Sequence, residues 1–258
     1  MGQEEALART HEGEPGLPRG RSGLPIETVR AAQRERLLRA VIAAVAGTGY
    51  TDLTVADIVR GARVSKAAFY VHFAGKEDCF LAATREGGWL MINQVAEAAR
   101  RVPAGAGAEE ALRAGIAAFL EFLAREPAFA RAFYVDMPAA GPRAVARIEA
   151  GLHNFARLNR AWHERARRDH PEWPVVPYQA YYALAGATAQ LVRAQVSQGT
   201  IDSVPELEDT LVALHLAVRA ARPMDEGPGL RAGRTGPGRP GTASPSPGGT
   251  ARAGPEGG

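Results

Sequence analysis

The chain has 258 residues, a hydrophobic content of 46% and a formal net charge of +3. This length holds a small domain and a larger one with a real core, and so small a charge excludes binding to nucleic acid through bulk charge alone. No apolar run is long enough to span a membrane, and the charged N-terminus has no signal-peptide core. The single cysteine, Cys79, excludes an intrachain disulfide. Together these features predict a cytoplasmic protein with no membrane partner.

The two ends of the chain differ in composition from its centre. Residues 1–24 mix Glu, Arg, Gly and Pro without periodicity, and residues 223–258 are rich in Gly and Pro. Such segments bury too little apolar surface to offset the entropy lost on ordering. We therefore predict a disordered N-terminal arm over residues 1–24 and a disordered tail over residues 223–258.

Two short helices separated by a tight turn are predicted between residues 54 and 76. Thr54 is a good N-cap with an aspartate three residues on, as in a capping box. Ser65 caps the second helix, in which Phe69 and Phe73 share a face. This second helix buries a narrow apolar stripe and presents small, basic and hydrogen-bonding residues outward, which suits the major groove of DNA. Both lysines of the chain lie in this stretch.

Several spaced motifs between residues 34 and 77 form one pattern. They are Arg34-Glu35-Arg36-Leu37-Leu38, Gly49-Tyr50, Thr54-Val55-x-Asp57-Ile58, Val64-Ser65-Lys66, Phe69-Tyr70-x-His72-Phe73 and Lys76-Glu77. The pattern resembles the N-terminal domain of TetR-family transcriptional regulators. The resemblance implies an all-α homodimer with a three-helix helix-turn-helix domain at residues 25–75, joined to a larger helical ligand-binding and dimerisation domain at residues 76–222. It also implies a repressor that leaves a palindromic operator when a small-molecule effector binds.

The resemblance assigns DNA contacts position by position. The positions are Thr54, Ser65, Lys66, Ala67, Ala68, Tyr70, Val71, His72 and Lys76. Residues 65–68 and Val71 would lie against base edges, and the other four would hold phosphates. The sequence departs from the common pattern at Ala67 and Ala68, where glycine and threonine are frequent, so direct readout falls to Lys66 and to methyl contacts with thymine. This departure keeps open an alternative, a helical small-molecule-binding sensor without operator binding.

The central sequence beyond residue 76 is predicted to be helical throughout. The fourth helix contains Gly87-Gly88, which we interpret either as a hinge between domains or as a site of close helix packing. A penultimate helix from about Tyr178 to Gln198 is apolar or small on most of its circumference, and Gly199 is its expected C-terminal cap. A capping box at Ser203-x-x-Glu206 is expected to start the last helix. The last two helices either form the homodimer interface, as the resemblance implies, or only complete the monomer core.

Aromatic side chains cluster in the C-terminal part, where a largely apolar cavity with a few polar groups would suit a small molecule. The candidate ligand-binding residues are Phe119, Phe122, Phe133, Phe155, Asn159, Trp162, Tyr178 and Tyr182. Asn159 interrupts an apolar stripe, so we interpret it either as a ligand contact or as a hydrogen-bonding link to a neighbouring helix.

Catalytic patterns are missing from the sequence. It contains no recognisable Ser/His/Asp or Cys/His arrangement, no phosphate-binding loop and no HExxH motif. We therefore predict no enzyme, no cofactor and no metal site. The sequence predicts a dimeric DNA-binding regulator, a repressor released by a small and largely apolar ligand.

Overall fold

The computed structural model describes residues 7–13, 25–103 and 105–220. Every regular element in these ranges is helical, which confirms the all-α fold class. The helices are α1 (Ile26–Asp52), α2 (Val55–Ala62), α3 (Lys66–His72), α4 (Lys76–Arg101), α5 (Gly107–Arg125), α6 (Pro127–Arg131), α7 (Pro142–Ala166), α8 (Tyr178–Ser197) and α9 (Glu208–Ala220). Shorter segments are a π turn (Ala132–Asp136) and two 3₁₀ segments (Met137–Ala140 and Ile201–Leu207). No helix in these ranges is long and apolar enough to cross a membrane.

Helix α1 forms the centre of the N-terminal core. Leu37, Val41 and Val45 are completely buried along one of its faces. Its last turn is kinked at Gly49, whose φ of 78° lies in the left-handed region that favours glycine. The kink precedes Tyr50, whose ring packs 5.1 Å from the ring of Phe80 on α4.

One continuous hydrophobic core joins the helix-turn-helix to the rest of the described chain. Phe69 on α3, Phe80 on α4, Phe129 on α6 and Leu211 on α9 all belong to it and are completely buried. Helix α1 contacts α2, α3, α4 and α6. The boundary proposed after residue 75 therefore falls within a shared core, in which α1 contacts both α4 and the two helices that precede it.

The segment of residues 7–13 differs from the expectation of a disordered arm. The backbone N–H of Leu7 donates to the Glu126 carboxylate at 2.7 Å, and that of His11 donates to the Gly61 carbonyl at 2.7 Å. The His11 side chain is buried. These partners are distant in sequence, so no periodicity could reveal them. The rest of residues 1–24 and all of residues 223–258 lie outside the described residues.

The glycine pair of α4 lies inside an unbroken helix. A Cβ atom on Gly87 would lie 2.2 Å from Cε2 of Phe129, whereas one on Gly88 would lie 3.6 Å from Cε2 of Phe133. Gly87 thus allows the Phe129 ring to pack directly on the backbone of α4. The geometry supports the interpretation of close helix packing at Gly87.

The predicted ends of the last two helices have different outcomes. Gly199 follows α8 with a φ of 75°, as a C-terminal glycine cap requires. The capping box predicted at Ser203 and Glu206 is wrong, because both residues lie in a 3₁₀ segment and α9 begins only at Glu208. The chain already turns before Ser203, whose backbone N–H donates to the Thr200 carbonyl at 3.0 Å.

Candidate DNA interface and ligand cavity

Helices α2 and α3 are both capped by side chains that the sequence indicates. Thr54 Oγ1 accepts from the Asp57 N–H at 3.2 Å, and the Asp57 carboxylate accepts from the Thr54 N–H at 3.0 Å. Ser65 Oγ accepts from the Ala68 N–H at 3.2 Å. Between the two helices, Arg63 adopts left-handed angles (φ 54°, ψ 41°). Gly61 lies inside α2, and the turn is limited to residues 63–65.

Four side chains of α3 form an outward surface, here called the recognition surface: Lys66, Ala67, Tyr70 and Val71. Tyr70 is 53% exposed and Val71 is 63% exposed. The Lys66 ammonium makes no hydrogen bond or ion pair with any described residue. Ala68, predicted to contact a base, is instead half-buried against the core. The surface thus combines one unpaired cation with methyl groups and a phenol, which are the groups that read base edges and phosphates.

Thr54 at the start of α2 and His72 at the end of α3 already have hydrogen-bond partners within the fold. The Thr54 hydroxyl donates to the Asp57 carboxylate at 2.5 Å, so its hydrogen is engaged within the cap. His72 is half-buried, with Nε2 3.4 Å from the side-chain oxygen of Gln33. Burial, with a smaller effect of nearby arginines, lowers the pKa of His72 below its usual value. At neutral pH His72 is therefore a neutral hydrogen-bonding group.

Lys76, predicted to contact a phosphate, is engaged within the fold. Its Nζ lies 3.1, 3.2 and 2.8 Å from the backbone carbonyl oxygens of Tyr50, Thr51 and Leu53. An ammonium has three hydrogens, so all of them are donated to the carbonyl end of α1, where the helix dipole favours a cation. The ammonium also lies 4.7 Å from the Tyr50 ring centroid. Motif spacing could not indicate these contacts, because the acceptors come from 23 to 26 residues earlier in the chain.

A cavity of about 170 Å³ lies between α4, α5, α7, α8 and α9. Its lining is largely apolar and includes Ile92, Val95, Ala99, Leu112, Ile116, Phe119, Phe155, Leu158, Trp162 and Leu211. Four of the predicted ligand residues line it, namely Phe119, Phe155, Asn159 and Trp162. Helix α4, which follows the recognition helix directly, forms one of its walls.

The other four predicted ligand residues lie elsewhere. Phe122 and Phe133 pack against the Phe129 ring, with centroids 5.8 and 5.4 Å away. The hydroxyls of Tyr178 and Tyr182 bind side chains of α7 at 2.8 and 2.5 Å. Their place in the cavity was wrong because aromatic clustering along the sequence does not show which face of a helix turns inward.

The polar end of the cavity contains Arg219, a residue that sequence reasoning missed. Arg219 is completely buried, and one of its Nη atoms donates to the side-chain oxygen of Asn159. Its guanidinium carbon lies 4.4 Å from the Trp162 ring centroid. Nε and Nη1 have no hydrogen-bond partner among the described residues. The spacing of α9 could have indicated that Arg219 lines the cavity, since it follows Leu211 and His215 at intervals of four residues on one helix face.

Asn159 makes the hydrogen-bonding link to a neighbouring helix that was one of its two interpretations from the sequence. Its side-chain nitrogen donates to the Phe155 carbonyl at 2.9 Å, and its oxygen accepts from Arg219 on α9. It also lines the cavity. The amide thus links two helices and orients the arginine at the edge of the cavity.

The two buried histidines near Arg219 are neutral at neutral pH. Burial, with the added repulsion of the Arg219 charge, lowers the pKa of His215 to about 3 and that of His163 to about 4. Burial lowers the pKa of Arg219 itself to about 10, so the guanidinium stays charged. No described carboxylate pairs with it. In the part of the chain described, no group of three or more His, Cys, Asp or Glu is placed to hold a metal.

Comparison with known proteins identifies the N-terminal region. Residues 37–83 match the family described as bacterial regulatory proteins, tetR family. The fatty acid degradation regulator FadR from Bacillus halodurans has a TM-score of 0.64 and 16% identity, over 77% of this chain and 96% of that one. FadR from Bacillus subtilis in complex with stearoyl-CoA has a TM-score of 0.62 and 17% identity, over 70% and 97%.

A third structure, a TetR-like transcriptional regulator from Rhodococcus sp. RHA1, has a TM-score of 0.54 and 22% identity, over 75% of this chain and 98% of that one. At such low identities these likenesses show the fold. The helix-turn-helix geometry and the family match agree on the same residues. The chain therefore carries the DNA-binding domain of the tetR family of bacterial regulatory proteins, within a helical fold shared with TetR-like transcriptional regulators.

Proposed function

We propose that the chain is a dimeric repressor that leaves its operator when a small, largely apolar molecule occupies the cavity. The observation that carries this proposal is the position of helix α4. It begins directly after recognition helix α3 and lines the cavity with Ile92, Val95 and Ala99. A molecule between α4, α5 and α7 displaces a helix on which the orientation of α3 depends.

Two contacts fix the position of α4 relative to its neighbours in the free protein. The Phe129 ring packs directly on the backbone at Gly87, and Lys76 ties the start of α4 to the end of α1. Because packed interfaces shift between discrete arrangements, a ligand would move α4 as a body together with the end of α1. We therefore favour displacement of a rigid α4 over bending at Gly87-Gly88.

The outer faces of α8 and α9 support the proposed homodimer. Exposed alanines recur at helical spacing, with Ala183 on α8 and Ala213 and Ala217 on α9. A Cβ built on Gly186 meets nothing within 4 Å. Small side chains on two neighbouring helices allow close approach of the same two helices from a second copy. Such a dimer would place two recognition helices about 34–36 Å apart on one face of B-DNA.

The dimer is tested with a matched pair of glycine substitutions. Gly186→Arg should convert the protein to the 27.3 kDa monomer in sedimentation equilibrium, because the guanidinium blocks the contact between copies. Gly151→Arg on α7, where a Cβ also meets nothing within 4 Å, should keep twice that mass. A monomeric parent protein, or equal masses for both variants, would exclude this interface.

The DNA-binding function is tested by selection from a random pool of duplex DNA at physiological salt. The full chain should enrich a palindrome, and Lys66→Ala should change the preferred bases at matching positions in both half-sites. Transcription in vitro from a promoter overlapping the selected site should fall when the protein is added. No enriched sequence would instead favour the helical sensor without operator binding, and increased transcription would show an activator.

A further inference from the structure

We propose that the cavity binds a compact organic acid whose carboxylate pairs with Arg219 and whose apolar body lies against Phe119 and Phe155. This inference rests on the ligand response proposed above and names the chemical class of the ligand. The reason is a mismatch within the cavity. Its wall is apolar, yet its inner end carries a completely buried cation without a counter-ion among the described residues.

A buried charge without a partner is costly, because the surrounding protein does not replace the hydration that the ion loses. Arg219 has only partial compensation from the Asn159 oxygen and the Trp162 ring. Its Nε and Nη1 remain without partners. A carboxylate arriving through the cavity can accept a charge-assisted hydrogen bond from Nε or Nη1, and such a bond is stronger than one between neutral groups. The ligand thus supplies the counter-ion that the described fold lacks.

The charge of the site favours a monoanion. Thr188 and Asn159 are uncharged, and the low pKa values of His163 and His215 keep both imidazoles neutral. The inner lining therefore offers one positive charge, which one carboxylate neutralises. A phosphate dianion would leave an excess negative charge in an apolar cavity. The other arginine of the lining, Arg165, is exposed at the rim and remains solvated.

The volume sets the size of the ligand body. An apolar cavity of about 150 Å³ holds one benzene molecule. The cavity here, about 170 Å³, therefore holds one aromatic ring, or a short branched aliphatic group, together with a carboxylate. Phe119 and Phe155 lie on facing helices with ring centroids 6.4 Å apart, and both contribute to the wall that meets this body. Leu158 belongs to the lining and is 49% exposed, so the lining reaches the protein surface there.

Benzoate is the probe, and benzamide and benzylamine are its uncharged and cationic analogues of matched shape. On the full chain without DNA, calorimetry should give an affinity for benzoate about 10- to 100-fold higher than for benzamide, the range typical of a charge-assisted hydrogen bond. Benzylamine should not bind. Benzoate at about 100 times its Kd should raise Tm by about 5–10 °C. Equal affinities for benzoate and benzamide would overturn the proposal.

Two substitutions separate ligand binding from folding. Arg219→Met should abolish benzoate binding and raise the Tm of the free protein, since it removes an unpaired buried charge and keeps the apolar stem. Asn159→Asp supplies a carboxylate within the protein and should also abolish benzoate binding. Arg160→Met, on the exposed surface of α7 and outside the cavity lining, is the control and should leave the benzoate affinity within about twofold. If Arg219→Met binds benzoate normally, or lowers the Tm of the free protein, Arg219 is a structural residue and the proposal fails.

Operator release is measured separately, by fluorescence anisotropy of the selected duplex. Benzoate should raise the apparent Kd for the operator in the parent protein and leave it unchanged in Arg219→Met. Binding of benzoate without operator release would leave the assignment of the carboxylate site standing and overturn the proposed ligand response. Operator release by apolar compounds alone, with no benzoate binding, would support the proposed ligand response and overturn the assignment of the carboxylate site.

Discussion

The recognition surface lies on α3, which precedes α4 in the chain, whereas the cavity is lined by α4 itself, and the two regions meet opposite physical demands. Lys66, Tyr70 and Val71 project into solvent, where water satisfies their polar atoms without any arrangement by the fold. Arg219 and His215 are buried, so the fold itself must arrange every partner they have. Substitutions on the recognition surface should therefore change DNA binding and leave stability unchanged, whereas substitutions around the cavity should change stability as well as binding.

Acidification should have the largest effect on stability, and the buried histidines beside the cavity should contribute most of it. His163 and His215 have pKa values of about 4 and about 3 in the folded protein, below their ordinary value near 6.5. The unfolded chain therefore takes up protons first as the pH falls. Their contribution to stability is complete above pH 6.5 or so and is lost as the pH falls towards the folded values. At about 1.4 kcal/mol per pKa unit, the two histidines together should remove several kcal/mol.

This loss of stability is measured by urea unfolding of His215→Leu and of the parent protein at several pH values between about 6.5 and 5. The variant should show a shallower loss of stability with falling pH, because one of the two buried imidazoles no longer titrates. His170→Gln is the control, since His170 is partly exposed on the surface beside Glu172. If the free energy of unfolding fell equally with pH in the parent and in His215→Leu, water would reach the His215 imidazole and its burial would not lower its pKa.

Gly87→Ala should give the next largest loss of stability. Gly88→Ala, at the neighbouring position of the same helix, is its matched comparison. The added methyl group would lie 2.2 Å from a ring carbon of Phe129, which lies in the core. Overpacking of this kind costs about 1–3 kcal/mol. At Gly88 the same substitution has room and should be neutral or stabilising by up to about 1 kcal/mol. Equal urea midpoints for the two variants would show that the Phe129 ring yields without cost.

Lys76→Ala tests most directly whether DNA contacts and fold-stabilising contacts are made by separate residues. The family resemblance assigns Lys76 to a phosphate, whereas in the structure its ammonium binds backbone carbonyls at the end of α1. Removal of the ammonium leaves three carbonyls at the end of α1 without their donor, so we expect a loss of about 1–2 kcal/mol in the free energy of unfolding. The dependence of operator affinity on salt should stay unchanged. A salt slope flatter by about one unit with full stability would restore Lys76 as a phosphate contact.

Lys66→Ala and Tyr70→Phe should have the smallest effects on stability, within about 0.5 kcal/mol. Lys66→Ala should change the preferred bases of the operator, because its ammonium has no partner within the described chain. Tyr70→Phe should weaken binding to all duplexes alike, since a phosphate contact carries no sequence information. Competition between operator variants in an electrophoretic shift separates the two. A uniform loss of affinity for Lys66→Ala would show that it contacts a phosphate.

Short-range features of the fold could be predicted from the sequence. The Thr54 and Asp57 capping box, the Ser65 cap, the buried stripe of Phe69 and Phe73 and the Gly199 cap all appear in the structure. Each of them depends on residues within about four positions of one another, where helix geometry alone sets the contact. The exposed face of α3 follows from the same periodicity.

Contacts between distant residues were decided by tertiary structure alone. Lys76 caps a helix that ends more than twenty residues earlier, Gly87 accommodates a ring from α6, and Arg219 meets Asn159 across 60 positions. The sequence indicated an aromatic cavity, but only the arrangement of the surrounding helices selected which four of eight candidates line it. Helical spacing determines which residues share a face, whereas the rotation and approach of whole helices determine what each face meets. That arrangement depends on the summed packing of the core, which no local pattern contains.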